Sequence, residues 1–171
     1  LEHAGIVRID RAAQGRGTEY HLTPAGEALF PVIEQMGNWA VDWLRHQLTA
    51  DGNLDPDLLM WDIRRRATDV GELPEGRHVV RFRFSGVPVS RRFYWLILDG
   101  AETDICFRDP GHDIDLEVRG HIREVVRIWL GHRGLRAALD EGSLELHGPR
   151  HEVDAFGRWF TLSHFAARAG A

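Results

Sequence analysis

The chain of 171 residues lacks the features that would place it in a membrane or in a disulfide-bonded class. Its single cysteine, Cys106, cannot form an internal disulfide, which fits the reducing cytoplasm. No apolar run is long enough to cross a bilayer, and the first residues lack a signal-peptide pattern. A formal net charge of −5 argues against general adhesion to nucleic acid but leaves room for a local basic patch. We therefore expect a cytoplasmic protein without membrane insertion.

Short motifs of common enzyme and metal sites are also missing from the sequence. HExxH, Gly-x-Ser-x-Gly, the P-loop and the dinucleotide fingerprint are absent. His147 and His151 are four residues apart, but Gly148 and Pro149 lie between them and interrupt the helical face that such a ligand pair needs. We expect no catalytic residues, no metal and no cofactor.

An acidic cluster follows Cys106, at Asp109, Asp113, Asp115 and Glu117. Strand alternation places the last three on one exposed face, which predicts a solvated surface rather than a metal site. Cys106 itself lies in the middle of an apolar strand, which favours a buried and unreactive thiol.

The first part of the chain reads as a hairpin followed by a long helix. Extended runs at residues 6–11 and 18–22 flank AAQGRG, whose glycines suit a hairpin tip. Thr23 is an expected N-cap, and Pro24 suits the first helical position. The helix continues to about Leu48, with a stripe at helical spacing that should be buried. Its members are Leu29, Ile33, Met36, Ala40 and Trp43.

The second part reads as an α+β domain. TADGNLDP, residues 49–56, is a polar, turn-rich linker candidate, and a helix over residues 56–68 follows it. Four strands are predicted in RHVVRFRF, RFYWLILDG, TDICFRD and DIDLEVRG, then helices over residues 122–130 and 135–139. A short strand, SLELHG, and a helix over residues 149–160 complete a mostly antiparallel sheet covered by helices. The predicted domains are residues 1–48 and 57–165.

One phrase near the start resembles the end of HxlR-type winged-helix regulators, in which a recognition helix, a wing and a further helix follow each other. LEHAGI and YHLTPAG carry the resemblance, at Leu1, Glu2, Gly5, Ile6, Tyr20, Leu22, Thr23, Pro24 and Gly26. It implies that the full-length protein is a homodimer that binds DNA, dimerises partly through the long helix and touches DNA with Arg11 and Arg16 of the wing. The residues alone also fit a solvated hairpin. Since no Met precedes Leu1, we expect a processed chain or a fragment that begins at the last turn of the recognition helix.

Residues 57–160 resemble the sterol-carrier-protein type-two domain in the order of their elements. The sharpest stretch runs from DIDLEVRG to DAFGRWF, with Gly142, Leu144, Leu146 and Gly148 on the family's Gly-x-Leu-type strand. The resemblance implies a lipid-binding domain with an apolar tunnel between sheet and helices.

Aromatic side chains of the second part could wall such a tunnel. The strand FYWLIL is apolar on both faces and needs cover on both sides. We predict a ligand cavity lined by Trp61, Phe82, Phe84, Trp95, Ile97, Phe107, Trp129 and Phe156. The same residues could instead pack together as an ordinary close-packed core.

These observations predict a transcriptional regulator that binds DNA through the winged helix. Its C-terminal domain would sense an apolar or lipid-like small molecule. The alternative is a lipid-binding or carrier module without DNA binding.

Overall fold

The computed structural model describes residues 1–11, 17–69, 76–100 and 102–166 and divides the chain into two units, Leu1–Trp43 and Leu44–Ala171. The predicted α+β class is confirmed. The boundary between the units, after Trp43, falls inside the helix that the sequence predicts to continue to Leu48. In the structure that helix ends at Trp43, and a separate turn of helix follows. The domain limits read from the sequence, 1–48 and 57–165, stay predictions.

The first unit is an antiparallel ribbon followed by a helix. Strands β1 (Val7–Arg11) and β2 (Thr18–Leu22) pair with Val7 opposite Leu22, and α1 (Pro24–Trp43) follows after one residue. That residue, Thr23, caps the helix as predicted: its hydroxyl oxygen accepts from the backbone N–H of Gly26 at 3.2 Å. The same hydroxyl donates to the carbonyl of Gly5 at 2.5 Å, which ties the helix start to the chain entering the ribbon.

The long helix leaves most of its apolar side chains exposed in the single chain. Met36 is 66% and Trp43 73% exposed, whereas Val41 is buried. Gly26 faces the ribbon so closely that a Cβ there would lie 2.2 Å from the carbonyl oxygen of Ile6. The predicted stripe therefore exists as a helical face, but this unit alone does not bury it.

The second unit contains a five-stranded sheet and five helices among its described residues. They are α2 (Arg45–Leu48), α3 (Pro56–Asp69), β3 (Arg77–Ser85), β4 (Phe93–Asp99), β5 (Glu102–Cys106), β6 (Leu116–His121), α4 (Ile122–Trp129), α5 (Leu135–Asp140), β7 (Leu144–His147) and α6 (Arg150–Trp159). These bounds agree with the predicted ones to within about three residues.

The strands lie in the order β5-β4-β3-β6-β7. All neighbours are antiparallel except β3 and β6, which pair in parallel with Val80 opposite Leu116 and Phe82 opposite Val118. Strand β6, with its acidic residues, is thus an interior strand.

Helices cover one face of this sheet and form a continuous apolar core with it. Side chains of every second strand residue, including Val80, Phe82 and Val118, are buried there together with Ile63 of α3 and Phe156 of α6. The strand residues that alternate with these core residues lie on the opposite face of the sheet. Most of them are charged or aromatic, such as Arg81, Trp95 and Glu117.

Candidate ligand-binding cavity

A cavity of about 570 Å³ lies in the second unit between α3, the C-terminal half of α4 and the segment that precedes α3. This volume is typical of small-molecule sites, which range over roughly 300–1,000 Å³. Its lining consists of Leu48, Asn53, Leu54, Asp55, Leu58, Leu59, Trp61, Asp62, Arg64, Arg65, Val126, Trp129 and Leu130.

Two helical stripes build the cavity walls. On α3, Leu59 and Ile63 turn toward the sheet and are buried, while Leu58 and Trp61, which line the cavity, keep substantial exposure. On α4, Val126 belongs to a cavity-facing set spaced by three and four residues, which one side of a helix presents together. The cavity is therefore a gap between two helices that also serve the core.

Charged groups at the cavity are already paired with each other or with neighbours. A guanidinium nitrogen of Arg65 pairs with Asp62, and Asp55 lies 3.7 Å from a guanidinium nitrogen of Arg91. The Arg64 guanidinium lies 5.5 Å from the ring centre of Trp61. The charges of these lining residues are therefore compensated, and apolar groups form most of the cavity surface.

One polar atom at the cavity has no partner among the described residues. The indole N–H of Trp129 is buried and makes no hydrogen bond to any of them. A buried donor without an acceptor costs free energy, so a ligand oxygen placed against it would be favoured. The nitrogen itself has no contact with solvent, so a ligand oxygen in the cavity accepts from it only after the ring turns toward the cavity.

The structure distributes the eight residues predicted to line the cavity over three places. Trp61 and Trp129 line it. Phe82, Phe84 and Phe156 are fully buried in the close-packed core.

The remaining three lie elsewhere in the unit. Trp95 and Ile97 alternate with the core residues of β4 and belong to the opposite face of the sheet. Phe107 is partly exposed, with its ring centre 6.2 Å from that of Trp61 and 5.7 Å from that of Tyr94. That these residues contact a ligand stays a prediction.

Most of the aliphatic residues that line the cavity were not predicted from the sequence. Leu58, Val126 and Leu130 face the cavity, and Leu48 and Leu54 close it from the preceding segment. The available signal was the spacing of apolar residues on α3 and α4 outside their most buried stripes, which aromatic content alone does not reveal.

Arg123, near the start of α4, fixes the segment that precedes α3. Its Nε donates to the carbonyl oxygen of Thr49 at 3.1 Å, and its terminal nitrogen pairs with Asp51. The helix that walls the cavity is thus tied to residues 49–51, a stretch that the sequence predicts to be a linker.

The opposite face of the sheet corrects the expectation of a solvated acidic strand. Glu117 is only 5% exposed and accepts hydrogen bonds from Arg81 and Arg119. Burial raises the pKa of Glu117, but the hydrogen bonds from Arg119 and Arg81 outweigh it, so the pKa lies below its ordinary value. The residue is buried because β6 lies inside the sheet. Arg81, directly opposite on β3, and Arg119, two residues further along β6, enclose its carboxylate.

Arg11 is the predicted DNA contact that the structure describes. It ends β1 and is exposed, while Arg16 lies outside the described residues. Arg8, on the other face of the ribbon, pairs with Asp10 at 2.9 Å. Arg11 has no ion pair with any of the described residues, whereas Arg8 is partly neutralised.

No cluster of three or more His, Cys, Asp or Glu side chains in the described residues could hold a metal ion. Over the same parts of the chain, no helix combines the length and the apolar character needed to span a bilayer.

One family model matches the first part of the chain. The model of the HxlR-like helix-turn-helix family matches residues 1–48, which confirms the resemblance seen in the sequence. No curated protein matches the chain.

Several solved structures are similar to a part of this chain. The inverting sec-alkylsulfatase Pisa1 from a Pseudomonas species has a TM-score of 0.50 at 18% identity over 65% of this chain. The chain spans only 17% of that enzyme, so the likeness concerns the fold of one part of it. Sterol carrier protein 2-like 2 from Aedes aegypti has a TM-score of 0.40 at 16% identity, over 58% of this chain and 93% of that one. The ubiquinone synthesis protein UbiJ-SCP2 has a TM-score of 0.39 at 23% identity, over 68% of this chain and 95% of that one.

Proposed function

We propose that this chain is the ligand-responsive part of a DNA-binding transcriptional regulator. The observation that carries the ligand-binding half is the cavity between α3 and α4, with apolar walls, compensated charges and one unpartnered donor at Trp129. Such a site selects an apolar or amphipathic molecule by shape and burial. The match of residues 1–48 to the HxlR-like helix-turn-helix model supports the DNA-binding half.

The ligand is a long acyl or polycyclic molecule that carries at least one hydrogen-bond acceptor. Burial of a chain contributes about 0.8 kcal/mol per methylene, which offsets the cost of association once about ten carbons are buried. The acceptor is placed against the indole N–H of Trp129.

The test is a thermal-melting titration with saturated fatty acids, the matching hydrocarbons and polycyclic compounds. Trp129→Phe keeps an aromatic wall but removes the donor. It should weaken fatty-acid binding by about fivefold, since a hydrogen bond contributes about 1 kcal/mol, and leave hydrocarbon binding unchanged. Absence of binding by every compound would refute the ligand-binding half.

DNA contact by the wing is tested on the full-length protein, which includes the recognition helix. A protein that neutralises phosphates loses affinity steeply with salt, with a slope of about −0.9 for each phosphate contacted. Arg11→Ala should weaken binding to all sequences alike and reduce that slope by about one unit. Arg8→Ala is the matched control, because Arg8 lies on the opposite face beside Asp10. Equal effects of the two substitutions would contradict a specific role for Arg11.

Sensing requires that the ligand change the affinity for DNA. The contacts of Arg123 with Thr49 and Asp51 join the cavity wall to the segment that follows the first unit in the chain. A ligand that displaces α4 acts on that segment, and the coupling is reciprocal. Arg123→Gln should keep ligand binding but abolish the effect of ligand on DNA affinity. A ligand effect that survives this substitution would exclude this route.

Homodimer formation through α1 belongs to the same proposal. The exposed apolar face of that helix, with Met36 and Trp43, needs cover in water, and a two-fold interface provides it with a second copy of itself.

The alternative function, a lipid-binding or carrier module without DNA binding, is favoured by one observation. Residues 1–43 carry six carboxylates and three arginines, a balance that repels nucleic acid. The two functions separate in a single experiment, because the carrier module binds fatty acids but shows no salt-dependent binding to DNA.

A further inference from the structure

A second pocket, of about 460 Å³, lies at one end of the sheet in the second unit. Strands β3 and β6 are parallel and both end there, and the antiparallel strands β4 and β7 begin there. This topology brings Arg83, Arg92 and Arg119 to a single pocket from three different strands or their ends. The pocket shares no lining residue with the apolar cavity.

Positive side chains outnumber negative ones in this pocket, although the chain has a net charge of −5. Three arginines line it, and Glu145 is the one carboxylate among its lining residues. Glu145 is itself 2.8 Å from the ring of His147. Arg119 pairs with Glu117, which lies two residues earlier on β6 and on the same face of the sheet.

Arg83 and Arg92 remain without a carboxylate partner among the described residues. The guanidinium of Arg83 lies 5.9 Å from the ring centre of Phe93, a cation–π contact that leaves its N–H groups available. Like charges held together at one site raise the free energy of the protein unless an anion joins them. The pocket is thus electrostatically incomplete in the chain alone.

Polar groups of small size complete the lining. Ser85 and Ser143 contribute hydroxyls, and that of Ser143 donates to the carbonyl of Ala138 at 3.1 Å, which fixes the orientation of its oxygen. Gly86, next to Ser85, has φ +78°, and a Cβ there would lie 2.2 Å from Nε2 of His121. This glycine lets the imidazole pack against the backbone at the pocket.

We propose that the basic pocket binds a phosphate group, either free or carried by a small molecule. A guanidinium presents paired N–H groups that match two phosphate oxygens, and charge-assisted hydrogen bonds of this kind are about twice as strong as neutral ones. Two arginines without a carboxylate partner among the described residues, a third arginine beside them and the hydroxyl of Ser85 form a suitable donor set. The inference is independent of the proposed function, because it uses neither the wing nor the apolar cavity.

The experiment measures binding by isothermal titration calorimetry at low salt. The probes are inorganic phosphate, pyrophosphate, decyl phosphate and decanol. Pyrophosphate and decyl phosphate should bind, and the double variant Arg83→Gln/Arg92→Gln should weaken both by at least about tenfold, given the strength of hydrogen bonds between charged groups. Arg119 is left unchanged, because its loss would remove a partner of the buried Glu117.

A matched control carries the same change of charge elsewhere. Arg136→Gln/Arg150→Gln removes two exposed arginines from α5 and α6, each within 3.8 Å of an aspartate one helical turn away. This variant should bind both phosphates within about twofold of the unchanged protein, as expected for weakly coupled surface pairs. Thermal melting checks the fold, and Arg92→Gln alone replaces the double variant if loss of the Phe93 contact unfolds it.

The outcomes separate the sources of the phosphate. Equal affinity for pyrophosphate and decyl phosphate indicates a free or nucleotide-like phosphate. Tighter binding of decyl phosphate, with decanol inert, indicates a phosphorylated amphiphile. Failure of every phosphate probe, or equal binding by the variant, overturns the proposal. Binding of duplex DNA alone, lost in the same variant, overturns it too and assigns the pocket to nucleic acid.

Discussion

Filling the apolar cavity from within tests its role most directly. Val126 is buried on α4 and lines the cavity, so Val126→Phe places about four additional carbons in the space that a ligand tail would occupy. If the ligand binds there, the substitution shortens the longest chain that the site accepts.

The cavity volume sets the expected magnitude. At roughly 30 Å³ for each water-sized group, about 570 Å³ holds about nineteen non-hydrogen atoms, or a fatty acid of about seventeen carbons. Affinity should rise about fourfold with each methylene up to that length and then level off. In Val126→Phe it should level off about four carbons earlier. Long acids should lose about 3 kcal/mol, roughly a hundredfold in affinity, while short acids lose little.

The assay is a titration of a series of saturated fatty acids from about eight to about twenty carbons, followed by tryptophan fluorescence. Val153→Phe is the control, since Val153 lies on α6 in a separate groove and undergoes the same chemical change. A plateau at the same chain length in both variants and in the unchanged protein would refute a ligand tail in this cavity. A uniform loss at all lengths would point to disturbed packing of α4, which overpacking can cause.

Three further predictions concern stability and association. Glu117→Gln should lower the free energy of unfolding by about 2 kcal/mol at pH 7, because two charge-assisted hydrogen bonds lose their anion. The depressed pKa of Glu117 means that this stabilisation exists above the ordinary carboxyl pKa and is lost as the pH falls through the folded-state pKa, so urea denaturation of the two proteins should converge in acid. Tyr94→Phe should cost about 1.5 kcal/mol in the same assay at pH 7, because the buried phenol donates to Asp57 at 2.5 Å, and a change under about 0.5 kcal/mol would contradict this. Met36→Glu should shift the protein from dimer to monomer in sedimentation velocity and lower its melting temperature, because dimerisation stabilises the folded state by mass action. A monomeric unchanged protein would exclude the dimer.

Local signals predicted the elements well. Thr23 and Pro24 marked the start of α1 because capping and the missing proline N–H act within one turn. Phe82 and Arg81 lie on opposite faces of β3, because side-chain direction in a strand has a fixed period that can be read from the sequence. These features need no knowledge of the rest of the chain.

The position of the cavity could not be predicted in the same way. Whether Phe156 fills the core or a cavity wall depends on how closely α6 docks on the sheet, which no local pattern encodes. Trp95 and Phe82 lie on opposite faces, but the sequence does not say which face the helices cover. The burial of Glu117 could not be predicted either, because it depends on a long-range pairing. Strand β6 pairs with β3 so that Glu117 lies opposite Arg81, 36 residues earlier in the chain.

That parallel pairing also constrains the order in which the second unit can fold. Strands β3, β4 and β5 form a meander of short antiparallel connections, which can assemble from neighbouring residues. The other half of the sheet has to dock on β3 from far along the chain, and the ends of a long loop have to meet before its contacts repay the entropy of closure.

A chain emerging from the ribosome therefore exposes the part of the meander's apolar face that α3 does not cover until β6 and the last helix have been synthesised. During that interval one edge of β3 has unpaired backbone groups and resembles an aggregation site. Expression at low temperature or with chaperones should consequently raise the soluble yield of this chain more than that of a purely antiparallel domain of equal size.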